Sequence, residues 1–193
     1  MKRIILASAS PRRKELLEKL GLRFEVEASN YEEDTPSGLE PHELARKISL
    51  EKAKVVASKH QDAIVIAADT FIVFGDRILG KPHTAIEARE MLKTLSGQSH
   101  SVVTGFSIID AGTNRTLSQS VETKVYIKKL TQVEIDAYVK SKEPLDKAGA
   151  YAIQGLGAVF VEKIEGDYFN VIGLPLSALA EALKQFGINI LGE

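Results

Sequence analysis

Short apolar runs and helical stripes alternate along this 193-residue chain. Ile4 to Ala7 is uninterrupted by polar residues and predicts a short buried strand. Ser10-Pro11 follows, a capping hydroxyl and then proline at the first helical position, so a helix begins there; Leu16, Leu17 and Leu20 form its stripe and Gly21 stops it. Phe24 to Glu27 alternates as a half-buried strand does, and Asn30 to Leu39 reads as an acidic loop. Leu44, Ile48, Ala53, Val56 and Ala57 then mark a long helix ending near His60. Ala63 to Ala68 has no polar alternation, which predicts a strand covered on both faces and ending in Asp69-Thr70.

Phe71 to Leu79, with its Gly75-Asp76 turn, predicts a hairpin leading into Gly80-Lys81-Pro82. Thr84 opens a helix to about Leu95. Ser101 to Asp110 and Thr116 to Ile127 alternate like two long paired strands joined at Ala111 to Asn114. Thr131 and Glu134 are spaced as a capping box and start a helix to about Lys140. Ala158 to Ile164 reads as a strand and Pro175 to Phe186 as a last amphipathic helix. Interleaved strands and helices with long paired strands between them predict an α/β fold built on a mixed sheet with helices on both sides, in a single domain over residues 1–193.

Composition narrows the function more than the fold. Lys and Arg total 25 against 26 Asp and Glu, so the net charge of −1 supplies no global field for nucleic acid, and an anion site has to be local. Aromatic residues at 6% leave few platforms for stacking bases. Cysteine is absent, which removes disulfides, thiolate metal sites and a cysteine nucleophile, and fits a reducing compartment. The apolar run near the N-terminus is too short for a signal peptide, and nothing approaches the roughly 18 apolar residues of a membrane span. The expectation is a cytoplasmic protein with no membrane partner.

Ser8-Ala9-Ser10-Pro11-Arg12-Arg13 puts hydroxyls, free N–H groups and two guanidiniums at a helix N-terminus, which suits a phosphate; a capped helix with two solvated arginines reads the same residues equally well. Asp69-Thr70 follows the most apolar strand, where open α/β sheets place their sites, and its carboxylate suits a metal or a proton from water; a turn Asp bonding its own backbone is the plainer account. Lys81 on a stiff loop suits phosphate oxygens, or is simply solvated. In Glu143 to Gly155, glycines and small residues among charged ones would let a ligand approach the backbone, and Gln154 offers a base edge both an acceptor and a donor. Gly166 to Pro175 has a similar mixture, for which core packing and turns are the alternative. His42 and His60 read as solvated, His83 follows Lys81-Pro82 and His100 leads a strand; none is placed in the catalytic set.

Taken together, Ser8 to Leu17, Ala68-Asp69-Thr70, Gly80-Lys81-Pro82, Ser96 to His100 and Glu143 to Gly155 resemble the motifs of the Maf family of nucleotide pyrophosphatases, in order and over nearly the whole chain. The resemblance implies a fold like that of inosine triphosphatases, an elongated homodimeric molecule with two lobes around a cleft. It implies hydrolysis of a nucleoside triphosphate to monophosphate and pyrophosphate, a house-cleaning of nucleotide pools, with Mg²⁺ or Mn²⁺ held by Asp69 and Glu33. Asp69 matches the family's catalytic acid position and Glu33 its second acidic position; Arg12, Arg13, Lys52 and Lys81 match phosphate-contacting positions, with Ser8 and Ser10 beside them. Arg12, Thr70 and Gln154 match positions linked to base choice. The branch it resembles acts on thymidine, uridine and modified uridine triphosphates. A pyrophosphatase for another base, such as 7-methyl-GTP or CTP, and a non-catalytic nucleotide-binding regulator of septum formation are the competing readings.

Overall fold

A computed structural model describes residues 2–31 and 38–192; Glu33 and most of the expected acidic loop lie outside the described residues. In chain order the elements are β1 (Arg3–Leu6), α1 (Pro11–Glu18), β2 (Glu25–Val26), α2 (Pro41–Ala57), β3 (Ala63–Phe74), β4 (Arg77–Leu79), α3 (Ala85–Leu95), β5 (Ser99–Asp110), β6 (Thr116–Ile127), α4 (Gln132–Lys140), β7 (Val161–Glu165), α5 (Tyr168–Ile172) and α6 (Leu176–Lys184). Seven strands form a mixed sheet in the order β2-β1-β3-β5-β6-β7, with β4 paired to β3. β1 runs parallel to both β2 and β3, whereas β3–β4 and β6–β7 are antiparallel.

The chain divides into two compact units, one of Met1–Thr70, Thr104–Val121 and Gly173–Glu193, the other of Phe71–Val103 and Glu122–Ile172. In the first, Ile5, Ala7, Ala63, Val65, Ala67 and Ile109 on the strands cluster with Ala53, Val56 and Ala57 of α2. The strand members are odd-numbered because successive side chains of a strand point to opposite faces, so one face of β1, β3 and β5 is given to α2. Gly105 shares that face, and a Cβ built on it would lie 2.2 Å from the carbonyl carbon and oxygen of Ala45. The helix therefore rests on the strand where a side chain is missing. Ser49 of α2, fully buried, continues the contact through Ser107 Oγ at 2.8 Å, and Ser107 in turn meets Ser118 Oγ at 2.9 Å.

In the second unit, Leu92 and Leu95 of α3, Ile135, Tyr138 and Val139 of α4, and Ile72, Val102, Val125 and Ile127 of the strands form one core with Tyr151 and Phe160. Both helices begin as their sequences require. Thr84 Oγ1 accepts the N–H of Glu87, and Thr131 and Glu134 form a full capping box.

Four expectations need correction. β3 does not stop before Asp69-Thr70 but runs through them to Phe74, because both polar side chains find partners inside the fold and the strand need not end there. Ser10 occupies the N-cap position of α1 without bonding through its side chain; the hydroxyl of Ser8 takes the Ser10 N–H instead. The expected strand at Ala158 begins as a 3₁₀ turn over Leu156–Phe160, and the short helix α5 lies within Gly166 to Pro175, where no helix was expected. His42 and His60 are not simply solvated: they meet Ser120 Oγ at 3.0 Å and Glu27 Oε2 at 2.8 Å.

Two consequences are measurable. Gly105→Ala forces a methyl into backbone that has no side chain to move aside, so it should cost about 3 kcal/mol or more and lower Tm by roughly 10 °C in a calorimetric scan. His100, buried in β5 with Nε2 2.8 Å from the Tyr151 hydroxyl, is held by desolvation at a pKa of about 4, against 6.5 for an exposed histidine. Between those values the unfolded chain binds the extra proton, so this contribution is full above pH 6.5 and is lost as pH falls toward 4. Urea midpoints should reveal a loss on the order of 2 kcal/mol between pH 7 and pH 5 that largely disappears in His100→Gln.

Candidate active site

β3 supplies two neighbouring polar groups to opposite faces of the sheet. Asp69 falls on the odd face, toward α2, and is only 7% exposed. Lys52 of α2 reaches it, with Nζ 2.5 Å from Oδ1. An unpaired carboxylate at that depth would carry a desolvation cost of several kcal/mol, which an ammonium in contact offsets. The pairing uses one carboxylate oxygen. Among the described residues the other, Oδ2, has no hydrogen-bond partner, so it remains an acceptor for water or a cation.

Thr70 falls on the other face. Its Oγ1 lies 3.0 Å from the hydroxyl of Thr104 in β5 and accepts a hydrogen bond from Arg13 of α1 at 3.1 Å. Arg13 also donates through Nε to the carbonyl of Gly173 at 2.9 Å and through its remaining amino group to Ser8 Oγ at 3.4 Å. Gly173 has a φ of 124°, which favours glycine, and a Cβ there would stand in ordinary contact with Thr70 Oγ1 at 3.4 Å and Arg13 Nε at 3.6 Å. One guanidinium thus ties the end of β1, the middle of β3 and the segment before α6 into a single cluster. Its donors are turned to the protein. Arg12 is different: half-buried at the start of α1, it has no acidic partner among the described residues, which leaves its charge available to an anion.

Of the expected site residues, the first unit therefore brings together Ser8, Arg13 and Thr70 on one side of the sheet and Lys52 with Asp69 on the other, with Ser10 and Arg12 at the helix start. Thr104 and the Gly173 carbonyl join the cluster without having been expected in it. A polar residue sharing the even-numbered face with the apolar Val102, Phe106 and Ile108 was the available signal for Thr104.

The second unit holds Lys81 and Gln154, both exposed. Gly80 accepts the N–H of Gly149 at 3.0 Å, which ties the lysine loop to the 143–155 segment. The glycines of that segment serve internal packing: a Cβ on Gly149 would meet Ile72 Cδ1 at 2.7 Å, and one on Gly155 would meet the Glu143 carboxylate at 2.7 Å. The space expected for a ligand is filled by the protein's own side chains. Gln154 carries no side-chain hydrogen bond among the described residues, so its amide is presented outward and is not fixed by neighbours.

A metal ion fits the donor chemistry of Asp69. Its buried carboxylate is an oxygen donor suited to a hard cation, with Lys52 in contact at Oδ1 and Oδ2 left to accept, and Mg²⁺ typically takes one or two protein carboxylates and completes its shell with water and phosphate oxygens. No group of three or more His, Cys, Asp or Glu side chains that could hold a metal ion occurs among the described residues. No helix among the described residues is long and apolar enough to cross a membrane.

Comparison with known proteins places these residues in a lineage. Residues 3–186 match the family model Maf, described as Maf-like protein. A dTTP/UTP pyrophosphatase of Methanosarcina barkeri is 51% identical over 194 aligned residues, covering 100% of this chain and 98% of that protein. A dTTP/UTP pyrophosphatase of Bacillus cereus is 50% identical over 190 residues, covering 98% of this chain and 93% of that protein. The solved structure of the Staphylococcus aureus Ham1 protein is similar over 65% of this chain and 72% of that one, at 15% identity and a TM-score of 0.45. With a family match over nearly its full length and relatives identical at half their positions from end to end, the chain belongs to the Maf family.

Proposed function

We propose that this protein is a nucleoside triphosphate pyrophosphatase that cuts dTTP and UTP, with modified uridine triphosphates, between the α and β phosphates. The observation that carries this reading is the end-to-end identity of one half with proteins named for that activity. The site residues support it. Water attacks the α phosphorus, the bond from that phosphorus to the bridging oxygen breaks, and pyrophosphate leaves with the electron pair. Asp69 accepts the proton from the attacking water at Oδ2, while Lys52 holds Oδ1 and so fixes the direction in which the free oxygen points. Arg12 and Lys81 neutralise charge on the triphosphate, with Ser8 and Ser10 offering hydroxyls beside the helix start. Mg²⁺ or Mn²⁺ on Asp69, with Glu33 as second carboxylate, would supply further neutralisation of phosphate charge and acidify the water.

Arg13 we place differently from the other cations. Its donors already serve Gly173, Ser8 and Thr70, so it positions Thr70, one of the residues linked to base choice, where a phosphate contact had been expected. Gln154 reads the base edge. An amide not fixed by neighbours flips to suit either uracil or cytosine, which makes CTP the second substrate to test. The balanced charge and the absence of cysteine support a cytoplasmic enzyme acting on free nucleotides and not on nucleic acid or membrane, and the family resemblance supports a homodimer.

Incubation of UTP with the protein and Mg²⁺, followed by ³¹P NMR, should show UMP and pyrophosphate; UDP with orthophosphate would place the cut at the wrong bond. Asp69→Asn keeps the shape and removes the charge, and its kcat should fall by about two orders of magnitude or more in a protein that still melts cooperatively. Turnover within a few-fold of the parent would assign the carboxylate to structure.

A further inference from the structure

Gln154 poses a physical difficulty for base recognition. Its amide is exposed and without an intramolecular partner among the described residues, and a freely turning amide presents donor and acceptor in either order. Discrimination between uracil and cytosine then needs groups that do not turn, and the nearest candidates are the backbone N–H and C=O groups on either side of it. Those are useful only if the segment is rigid to within a fraction of an ångström.

The segment is held, and by one carboxylate. Glu143 accepts the N–H of Leu156 at 3.0 Å on Oε2 and that of Gly157 at 3.2 Å on Oε1. Oε1 also accepts the Tyr138 hydroxyl at 2.9 Å, and the same phenol oxygen accepts the N–H of Ala152 at 3.3 Å. Residues on both sides of Gln154 are therefore bonded to the Glu143–Tyr138 pair. The pair is itself anchored. Tyr138 is 4% exposed at the end of α4 and packs edge-on against Phe160 at 4.9 Å between centroids, and the Glu143 N–H bonds to Ser141 Oγ at 3.2 Å. Gly155 completes the fit: at φ 125° its missing Cβ leaves the space in which the carboxylate sits, 2.7 Å from where that atom would be. Burial pushes the Glu143 carboxyl up, but the donors of Leu156, Gly157 and Tyr138 outweigh it and hold the group below its ordinary range, as an ionised acceptor.

We infer that Glu143 is a positioning residue for base selection, holding the backbone around Gln154 so that pyrimidine triphosphates are told apart by groups that cannot flip. The inference rests on the reading of Gln154 as the base-contacting residue. Glu143→Gln keeps the size but turns an amide donor toward a nest made of donors, so the loop loses at least one tie without gaining a cavity. Tyr138→Phe removes the other tie.

The test compares kcat/KM for UTP and CTP in the full-length protein with Mg²⁺. Glu143→Gln should lower the UTP-to-CTP ratio by about tenfold, chiefly through a raised KM for UTP, with kcat within about threefold of the parent. Tyr138→Phe should move the ratio in the same direction. Gln154→Ala removes an amide that suits either base, so it should weaken UTP and CTP alike and leave their ratio within about threefold, while Glu143→Gln added to it should lower the ratio as it does in the parent. An unchanged ratio in a folded Glu143→Gln and in Tyr138→Phe overturns the positioning role. Unchanged kcat/KM for both nucleotides in Gln154→Ala would instead remove Gln154 from the base contact, and with it the reading on which the inference rests. Equal losses of efficiency for both nucleotides, tracking loss of Tm, would reduce Glu143 to a stabilising contact.

Discussion

A strand turns successive side chains to opposite faces, and in β3 that constraint is applied to a carboxylate followed by a hydroxyl. Asp69 is delivered to the α2 side and Thr70 to the α1 side of the same sheet, one residue apart in sequence and in separate surroundings. Had the polar pair stood on a loop after the strand, neither would have been fixed without further contacts. Inside the ladder the backbone is already committed, and only the side chains need partners. Each partner comes from a different helix: Lys52 from α2, Arg13 from α1. A slip of one residue in the register of β3 would exchange the two, placing a hydroxyl against the ammonium and a carboxylate in the guanidinium cluster.

The register is protected by what surrounds the polar pair. Ala63 to Ala68 is fully buried with no polar atom in its side chains, so both faces are specified by packing before Asp69 is reached. Gly105 adds to this by admitting α2 so close to β5 that the helix has little room to shift along the sheet. The position of Lys52 over Asp69 is thus a consequence of apolar packing and of a missing methyl group, and the ion pair itself adds little net stability after its own desolvation. That division suits a site in which the charges have work other than holding the fold.

Much of this was legible in the sequence, for identifiable reasons. The strand at Ala63, the capping box at Thr131 and Glu134, the hairpin around Gly75 and the paired strands after Ser101 all have signals confined to a few neighbouring residues, and each formed as local chemistry dictates. What was not legible depends on partners far away in the chain. Nothing near Asp69 says that Lys52 will neutralise it and so allow the strand to continue. Nothing near Arg13 says that a carbonyl 160 residues later will take its Nε. Ser10 makes no cap bond through its side chain, and its own N–H goes to Ser8 Oγ, a contact the capping pattern does not announce. The family motifs single out candidate residues, but they do not separate those that would touch a ligand from those that hold another residue in place.

The glycines of the 143–157 segment show why that separation matters. A glycine among charged residues invites the reading that a ligand comes close, and the same residue is equally required wherever the protein's own atoms come close. Gly149 gives way to Ile72 and Gly155 to Glu143, and in the second case the visitor is a charged group with several backbone and side-chain donors around it. A carboxylate placed there does for the backbone what Lys52 does for Asp69: it removes a freedom that chemistry at the next atom could not tolerate. The difference lies in what is being held. In the proposed mechanism Lys52 fixes a side chain whose free oxygen takes a proton, so its effect would belong with the rate of the chemical step; in the inference above Glu143 fixes main-chain groups that only bind, so its effect would belong with the choice among substrates.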